Sequence, residues 1–460
     1  MALLLRNGTM ITADRRWTGD LRCRDGRIAE LGDELEPVAG EATFDATGLL
    51  VFPGGVDPHV HLSLPVAGTV SADDFASGSA AALAGGTTTL IDFVHPERGE
   101  SFVSALDARL LEAERSLVDY GLHLGVTWWG DGTAEEMRRC VLEEGVPSFK
   151  VYLAYKGTVG IDDRDLVQVM AEARTLGATI LVHAEHGEII ELLRDRMALA
   201  GLTAPRYHAL SRPPETEEEA TARMAMLAGL TGATTYVVHV TCAEAAAAIA
   251  RARERGVEIV GETCPQYLLL DDAVYDRPDF AGAAFVVSPP IRPRGHQTAL
   301  WKALAAGTLQ VVATDHCPFT QAQKAAGRDD FRRIPGGAAG IEHRLSLLWT
   351  FGVGTGRIDA HRFVDLVSSR PAKLFGLYPR KGAIAVGSDA DLVLWDPGAT
   401  ATISAATHRH RNDASIYEGF EIEGAPAAVV ARGEVRYRDG QILAEPGSGR
   451  FLVRQPNPVR

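Results

Sequence analysis

The chain has 460 residues, of which 46% are hydrophobic and 23% are charged. This composition is close to that of an average soluble globular protein and excludes a disordered or fibrous chain. The 46 lysine and arginine residues are outnumbered by 60 aspartate and glutamate residues, and the formal net charge is −14. We therefore expect no nucleic-acid partner and no binding to an anionic membrane surface.

The cysteine pattern and the apolar runs predict a cytoplasmic protein. The only apolar run near the amino terminus, Leu3–Leu5, is followed by Arg6 and Asn7, which is too short for a signal peptide. The sequence contains no run of about 18 apolar residues, the length needed to cross a membrane. The five cysteines are scattered and form no Cys-x-x-Cys pair. This predicts a reduced protein without a disulfide framework or a thiolate zinc site.

Both ends of the chain have the pattern of short strands joined by tight turns. The amino-terminal candidates are Leu3–Leu5, Leu21–Cys23 and Ile28–Leu31, with Asp25-Gly26 as a hairpin turn between the last two. The carboxyl-terminal candidates are Asp391–Trp395, Ala427–Arg432 and Glu434–Tyr437. We predict that residues 1–53 and 378–460 together form a small β-sandwich domain.

The middle of the chain alternates short apolar runs with alanine-rich helical segments. The runs are Leu49–Val56, Thr87–Val94, Leu122–Trp128, Phe149–Leu153, Thr179–Val182, Thr235–Val240, Val257–Glu262 and Leu309–Ala313. The helical segments include Ala72–Ala84, Glu100–Val118, Ala134–Glu144, Asp163–Leu176, Glu217–Leu230 and Ala243–Arg255. Repeated strand–helix units predict an α/β fold, a (β/α)8 TIM-like barrel over residues 54–377. An open doubly wound sheet is the alternative, although no Gly-x-Gly-x-x-Gly motif follows the first strand.

Polar residues follow these strands at equivalent points. His59 and His61 end the first run, His183 follows the fifth, His239 ends the sixth, and Asp315 follows the eighth. In a parallel barrel the carboxyl ends of all strands open onto one face, where active sites lie. Imidazole and carboxylate are the usual non-sulfur ligands of divalent metals. The pattern therefore predicts a metal centre.

Lys150 is unusual because it lies inside the fourth apolar run. A buried ammonium is costly, and neighbouring metal cations would lower its pKa further. The neutral amine could then add carbon dioxide, and the resulting carbamate anion could bridge two cations. Without the other ligands, a lysine whose amine reaches solvent from a strand end would be the simpler interpretation.

These residues, together with a series of motifs, resemble the binuclear amidohydrolase superfamily and, within it, the dihydropyrimidinase and D-hydantoinase (cyclic amidase) branch. The similarity extends from the first strands to residues 447–451. The motifs that carry it are Pro53-Gly54-Gly55-Val56-Asp57-Pro58-His59, Ala84-Gly85-Gly86-Thr87-Thr88-Thr89, Ala154-Tyr155-Lys156, His208-Ala209-Leu210-Ser211-Arg212-Pro213-Pro214, Gly261-Glu262-Thr263-Cys264-Pro265, Ser288-Pro289-Pro290 and Thr314-Asp315-His316-Cys317-Pro318.

The resemblance implies two divalent metal ions per subunit, zinc by expectation. One would be held by His59, His61 and Asp315, the other by His183 and His239, and carbamylated Lys150 would bridge them. The implied reaction is the hydrolytic opening of a small cyclic ureide or imide, such as a hydantoin or a dihydropyrimidine, to an N-carbamoyl amino acid. The resemblance also implies a homotetramer or a homodimer.

Further roles are implied for residues around the metals. Asp315 would act as the catalytic base and acid, Tyr155 would donate its hydroxyl to the developing oxyanion, and Ser288 would contact the substrate ring. Relatives usually have asparagine in an Ile-Pro-Asn-Gly stretch, where this chain has Gly336. The loss of that side chain leaves the substrate range open.

Other functions remain open at this level. An allantoinase-like, imidase-like or dihydroorotase-like cyclic amidase is possible, although dihydroorotases usually have an arginine where this chain has Ser63. A non-catalytic dihydropyrimidinase-like scaffold is disfavoured because such proteins have lost metal ligands, whereas this chain retains the full set.

Overall fold

The computed structural model describes residues 2–457. The strands in chain order are β1 (Ala2–Ile11), β2 (Arg16–Arg24), β3 (Arg27–Gly32), β4 (Ala42–Asp45), β5 (Leu50–Pro53), β6 (Gly55–Val60), β7 (Pro65–Val66), β8 (Thr69–Val70), β9 (Thr87–Val94), β10 (Asp119–Gly125), β11 (Ser148–Tyr152), β12 (Thr179–His183), β13 (Thr235–Val237), β14 (Ile259–Thr263), β15 (Leu309–Val312), β16 (Leu392–Thr402), β17 (Glu421–Ala431), β18 (Glu434–Arg438) and β19 (Gln441–Ile442).

The α-helices are α1 (Phe75–Ala84), α2 (Phe102–Ala113), α3 (Thr133–Leu142), α4 (Asp163–Leu176), α5 (Gly187–Leu199), α6 (Arg206–Leu210), α7 (Pro214–Thr231), α8 (Ala243–Glu254), α9 (Pro265–Leu269), α10 (His296–Ala306), α11 (Gln321–Lys324), α12 (Arg344–Leu348), α13 (Ala360–Val364) and α14 (Arg370–Leu374). Short 3₁₀ helices lie at Asp272–Asp276, Ala281–Phe285, Ala325–Gly327 and Phe331–Arg333, and π-helical turns lie at Trp349–Val353 and Asp365–Ser369.

Eight parallel strands form a nearly closed barrel, as predicted. Their order is β6-β9-β10-β11-β12-β13-β14-β15, so each strand pairs with the next one along the chain. The barrel closes between β6 and the segment that follows β15. Val60 forms a bridge with His316, and Thr314 Oγ1 donates to Asp57 Oδ2 at 2.7 Å. This sequential closure excludes the open doubly wound sheet.

The barrel strands are buried on both faces, which explains their continuous apolar runs. Ile91 and Phe93 of β9 pack in a cluster with Leu181 of β12, whereas the alternate residue Leu90 belongs to the larger core cluster that includes the helices. Leu452 joins the inner cluster. Residues 450–454 therefore pack on the barrel, although they fall in the range predicted for the terminal domain.

The predicted first strand, Leu49–Val56, is wrong as a single element. Residues Leu50–Pro53 form β5, which pairs with β1 and β16 in the terminal sheet, and the barrel begins with β6. The chain passes between the two sheets at Gly54, where a Cβ would lie 2.1 Å from Thr88 Oγ1. Only glycine allows this close approach.

Some helices begin or end at residues other than those predicted, because a capping residue or the start of the next strand sets the boundary. The α4 boundaries agree with prediction. Helix α1 begins at Phe75, not at Ala72, because Asp74 is its N-cap and forms a reciprocal capping box with Ser77. Helix α2 ends at Ala113, and the following residues lead into β10.

Both ends of the chain build a second sheet, as predicted. Nine strands join in it, with the path β19-β18-β17-β16-β5-β1-β2-β3 and β4 paired to β1. The sheet encloses its own apolar cluster, in which Leu5 and Leu21 share a core with Leu392 and Val430. The domain division at residues 53/54 and 377/378 remains a prediction. Within residues 2–457, no helix combines the length and apolar character needed to cross a bilayer.

A buried lysine joins the barrel to the terminal sheet. Lys381 Nζ lies 2.7 Å from Asp119 Oδ2 at the start of β10, 2.7 Å from Asp391 Oδ2 and 3.1 Å from Asp389 Oδ2. The lysine side chain is 1% exposed. Its pKa is raised, because the three carboxylates outweigh the opposing effect of burial.

We expect Lys381→Met to destabilise the fold, because three buried carboxylates would lose their shared cation. Removing one partner of a buried ion pair typically costs about 3–5 kcal/mol of unfolding free energy. Thermal unfolding at one fixed scan rate measures the effect, with exposed Lys302→Met as the matched control. A melting temperature equal to that of the control would contradict this assignment.

Candidate metal centre

Three of the predicted ligands lie together at the carboxyl end of the barrel. One ligand atom from each of His59, His61 and Asp315 lies within 4.8 Å of the other two. His59 Nε2 is 3.2 Å and His61 Nε2 is 3.3 Å from Asp315 Oδ1. These side chains therefore offer a ligand set for one divalent cation.

The other two predicted histidines form an adjacent pair. His183 Nδ1 lies 3.0 Å from His239 Nε2, close enough for both atoms to bind one cation. His183 Nε2 lies 2.7 Å from Glu185 Oε2, and this carboxylate also accepts from Arg212. Because an ionised carboxylate only accepts, the His183 proton sits on Nε2. The Nδ1 lone pair is therefore directed at His239.

Glu262, which lies on β14, supports both groups of histidines. Its Oε1 atom accepts from His59 Nδ1 at 2.7 Å and from the backbone N–H of His239 at 3.0 Å. Its Oε2 atom accepts from the Tyr236 hydroxyl at 2.7 Å. A carboxylate behind a histidine fixes the ring and leaves the other nitrogen free to bind metal. His59 therefore presents an unprotonated Nε2.

These contacts fit a cation. His59 Nε2 and the carboxylate of Asp315 are both electron-pair donors, and their close approach calls for a positive charge between them. His59 Nε2, which faces Asp315, is buried and has no hydrogen-bond partner within residues 2–457. Burial lowers the pKa of His61, His183 and His239. These imidazoles are therefore neutral at pH 7, the form that binds metals.

Lys150 lies on β11 and is 1% exposed. Its ammonium nitrogen is 5.2 Å from the ring centre of Phe93 and 5.3 Å from that of Tyr152. Burial lowers its pKa to about 8, and Asp315 and Glu262 oppose the shift. A substantial fraction of the amine is therefore neutral in mildly alkaline solution.

Three residues of the site have left-handed backbone conformations. The φ angles of Tyr155, His239 and Asp315 are 60°, 40° and 52°. A non-glycine residue in this region costs of order 1–3 kcal/mol, and such residues cluster at functional sites. The strain turns these three side chains at the ends of their strands, and a simple strand pattern does not predict it.

The residues predicted to contact substrate lie beside the histidines. The Tyr155 ring centre is 5.0 Å from that of His183 and 5.6 Å from the Arg212 guanidinium. Burial raises the pKa of Tyr155, opposed by Arg212 and by a hydrogen bond with Ser288. A Cβ on Gly336 would lie 3.5 Å from Ser288 Oγ, with no other contact within 4 Å. All three predicted substrate residues thus lie near the His183 side of the centre.

Sequence reasoning missed four supporting residues. Glu185 and Glu262 lie at the carboxyl ends of strands. The search for polar residues at strand ends, which predicted the metal ligands, would therefore have identified both. His95 follows β9, and its Nε2 is 2.8 Å from the Tyr152 hydroxyl. Burial lowers the pKa of His95 to about 3. Arg212 belongs to the His208–Pro214 motif, but nothing in that motif predicts its contact with Glu185, which lies 27 residues earlier in the chain.

Comparisons with known proteins place the chain in a family. The Amidohydrolase family profile matches residues 50–436. A D-hydantoinase of Geobacillus stearothermophilus is 47% identical over 456 residues, which cover 99% of this chain and 97% of the relative. A crystal structure of a dihydropyrimidinase from Brevibacillus agri NCHU1002 superposes with a TM-score of 0.98 at 43% identity and 99% coverage of both chains. A crystal structure of a D-hydantoinase superposes equally well, at 46% identity, over 99% of this chain and 100% of the other.

Proposed function

The chain belongs to the amidohydrolase family, and from that premise we propose that it opens the ring amide of hydantoins or dihydropyrimidines. The products are N-carbamoyl amino acids. The observation that carries the proposal is the grouping of His59, His61 and Asp315 beside the His183–His239 pair at the carboxyl end of the barrel. This grouping occurs in a chain that is 47% identical to a D-hydantoinase.

The proposed centre holds two divalent cations, zinc by expectation. His59, His61 and Asp315 would hold one cation and His183 and His239 the other, and a carbamate on Lys150 would supply a further anionic ligand. Carbamylation joins the neutral Nζ to the carbon of carbon dioxide and releases one proton. Divalent cations at such a centre, when bound, lower the pKa of water from 15.7 toward roughly 7 and polarise a carbonyl group.

Asp315 moves the proton in this proposal. Although burial opposes it, the pKa of Asp315 is lowered, so the carboxylate is ionised at neutral pH. It accepts the proton of the attacking water and passes it to the ring nitrogen that leaves. Its left-handed backbone directs the carboxylate toward the histidines.

Tyr155 and Ser288 act on the substrate. Because the pKa of Tyr155 is raised, its hydroxyl stays protonated and donates a hydrogen bond to the oxyanion that develops on the ring carbonyl. Ser288 contacts the ring on the same side. Gly336 leaves space beside Ser288, so this chain accommodates ring substituents there that an asparagine side chain would exclude.

We expect protein produced with zinc and bicarbonate to contain about two metal ions per chain, the number required by a two-metal site, and to open hydantoin or dihydrouracil. Metal analysis and detection of the N-carbamoyl product measure this. The substrate panel also includes both enantiomers of a 5-substituted hydantoin, a cyclic imide, allantoin and dihydroorotate. Metal-loaded protein that opens none of these rings would contradict the proposed function. Activity confined to allantoin or dihydroorotate would move the chain to another cyclic amidase class.

We also propose a homotetramer or homodimer and a cytoplasmic location. The location follows from the five scattered cysteines, all of which are free and buried. Light scattering on the purified protein tests the oligomeric state.

A further inference from the structure

Lys324, the last residue of α11, is a buried ammonium outside the metal centre. The residue is 4% exposed. Its Nζ donates to three backbone carbonyl oxygens, those of Val286 at 2.9 Å, Pro335 at 2.7 Å and Gly337 at 2.8 Å. Since an ammonium has three protons and no lone pair, this set uses its full hydrogen-bonding capacity.

The three carbonyl groups belong to the two segments that carry the proposed substrate contacts. Val286 lies two residues before Ser288, and Pro335 and Gly337 flank Gly336. The segments also bind each other directly, because the Gly337 N–H donates to the Val286 carbonyl at 2.9 Å. Lys324 therefore links the two segments that carry the proposed substrate contacts, through hydrogen bonds to the backbone of both.

We propose that Lys324 is a positioning residue that holds the Ser288 and Gly336 segments in the arrangement that binds the substrate ring. The inference rests on the proposed function for the identity of the substrate. Lys324 acts through these segments and not on the reacting atoms, because all three of its protons are already donated to carbonyl groups.

The surroundings of Lys324 support this positioning role, because the buried ammonium has, in the part of the chain that the structure describes, no anionic partner that would otherwise explain its burial. Its ammonium lies 5.5 Å from the ring centre of Phe319, and no carboxylate within residues 2–457 forms an ion pair with it. Burial lowers its pKa to about 7, and Cys317 opposes the shift. A buried charge without an ionic partner is costly, and here only the carbonyl groups and the aromatic ring compensate it.

The residue before Lys324 in α11 binds a further segment, the β7–β8 hairpin. Gln323 Nε2 donates to Thr69 Oγ1 at 2.7 Å and to the Val70 carbonyl at 2.7 Å, both on β8. Strands β7 and β8 form the small hairpin that follows His61 in the chain. The last two residues of α11 thus bind the two proposed substrate segments and the β7–β8 hairpin.

Hydrogen exchange tests, without any substrate, whether Lys324 holds the Ser288 and Gly336 segments in place. In Lys324→Met, we expect the backbone amides of residues 286–288 and of the non-proline residues in 334–340 to exchange at least about tenfold faster than in the unmodified protein, because three buried carbonyl groups lose the hydrogen bonds that Lys324 donates. The comparison is made at pH 6, below the pKa of Lys324, where the ammonium form predominates. Exposed Lys302→Met is the matched control and is expected to leave both segments unchanged.

Steady-state kinetics tests the consequence for the substrate. We expect Lys324→Met to raise KM at least about tenfold while kcat stays within about threefold and the metal content is unchanged, the pattern of lost substrate binding. A loss of kcat and metal with KM unchanged would overturn the inference, because it would place the damage at the metal centre.

Two outcomes separate this inference from the proposed function. If the unmodified protein opens a ring amide but both exchange and KM are unchanged in Lys324→Met, the inference is overturned and the function stands. If the unmodified protein opens no ring, the function fails, and hydrogen exchange alone still decides the positioning role. If Lys324→Met does not fold, Lys324→Gln replaces it. Its shorter side chain cannot serve all three carbonyl groups, so unchanged exchange there overturns the inference.

Discussion

Lys150→Ala is expected to reduce hydrolysis of a ring amide by at least about a thousandfold, because loss of the bridging anion weakens the site that lowers the pKa of water from 15.7 toward roughly 7. The physical reason lies in the charge balance. Two divalent cations bring four positive charges, and Asp315 is the one carboxylate among the proposed ligands. Without the proposed carbamate on Lys150, one anion fewer would offset the repulsion between the two proposed cations.

Metal content distinguishes this explanation from simple misfolding. We expect Lys150→Ala to melt near the temperature of the unmodified protein but to contain fewer metal ions per chain. Alanine would leave a gap at the position of the proposed carbamate, so a small carboxylate such as propionate, added to the assay, should restore part of the activity. Lys302→Ala, at an exposed position, is the control. Full activity in Lys150→Ala would remove the carbamate bridge from the mechanism.

The barrel was predictable because each of its strands is buried on both faces. Burial gives a run such as Thr87–Val94 its unbroken apolar character, and the structure places β9 at those bounds. The boundary between the two sheets was not predictable from the same pattern, because residues 49–56 form one unbroken apolar run across it. The close approach of Gly54 to Thr88 separates them, and that contact joins residues that are far apart in the chain.

The grouping of the proposed metal ligands was predictable for a similar reason. Residues at the carboxyl ends of parallel strands share one face, so chain position alone brings His59, His183 and Asp315 together. The groups that orient them were not identified, because their partners are distant in sequence. Glu262 lies 203 residues from His59, with which it shares a hydrogen bond. Left-handed backbone at His239 likewise depends on tertiary contacts and not on local preference.

Lys324 illustrates the limit of sequence reasoning most clearly. An isolated lysine in a polar stretch, Thr320–Lys324, has no pattern that predicts burial. Its burial becomes visible only when α11 is placed against the segments around Ser288 and Gly336. Sequence periodicity describes which face of an element is apolar, whereas this site is built from backbone carbonyl groups that no residue type encodes.

Asp315→Asn is expected to abolish most of the activity while changing the shape of the site little. Asparagine has nearly the same size and keeps one carbonyl oxygen that can bind a cation, but it cannot accept the proton of the attacking water. Loss of a positioned acid–base group typically costs about 10²–10⁴-fold in rate. We therefore expect kcat to fall by at least about a hundredfold, with a metal content close to that of the unmodified protein.

The two roles of Asp315 separate in one experiment. Metal content and kcat are measured on the same preparations of Asp315→Asn and of Asp131→Asn, an exposed control on the loop before α3. If the metal content is retained and kcat is lost, proton transfer is the dominant role. If both fall together, Asp315 acts chiefly as a ligand, which is consistent with its distance of 3.2–3.3 Å from two imidazole nitrogens. Retention of kcat within about tenfold would exclude Asp315 as the proton carrier, since that loss is below the range for an acid–base group.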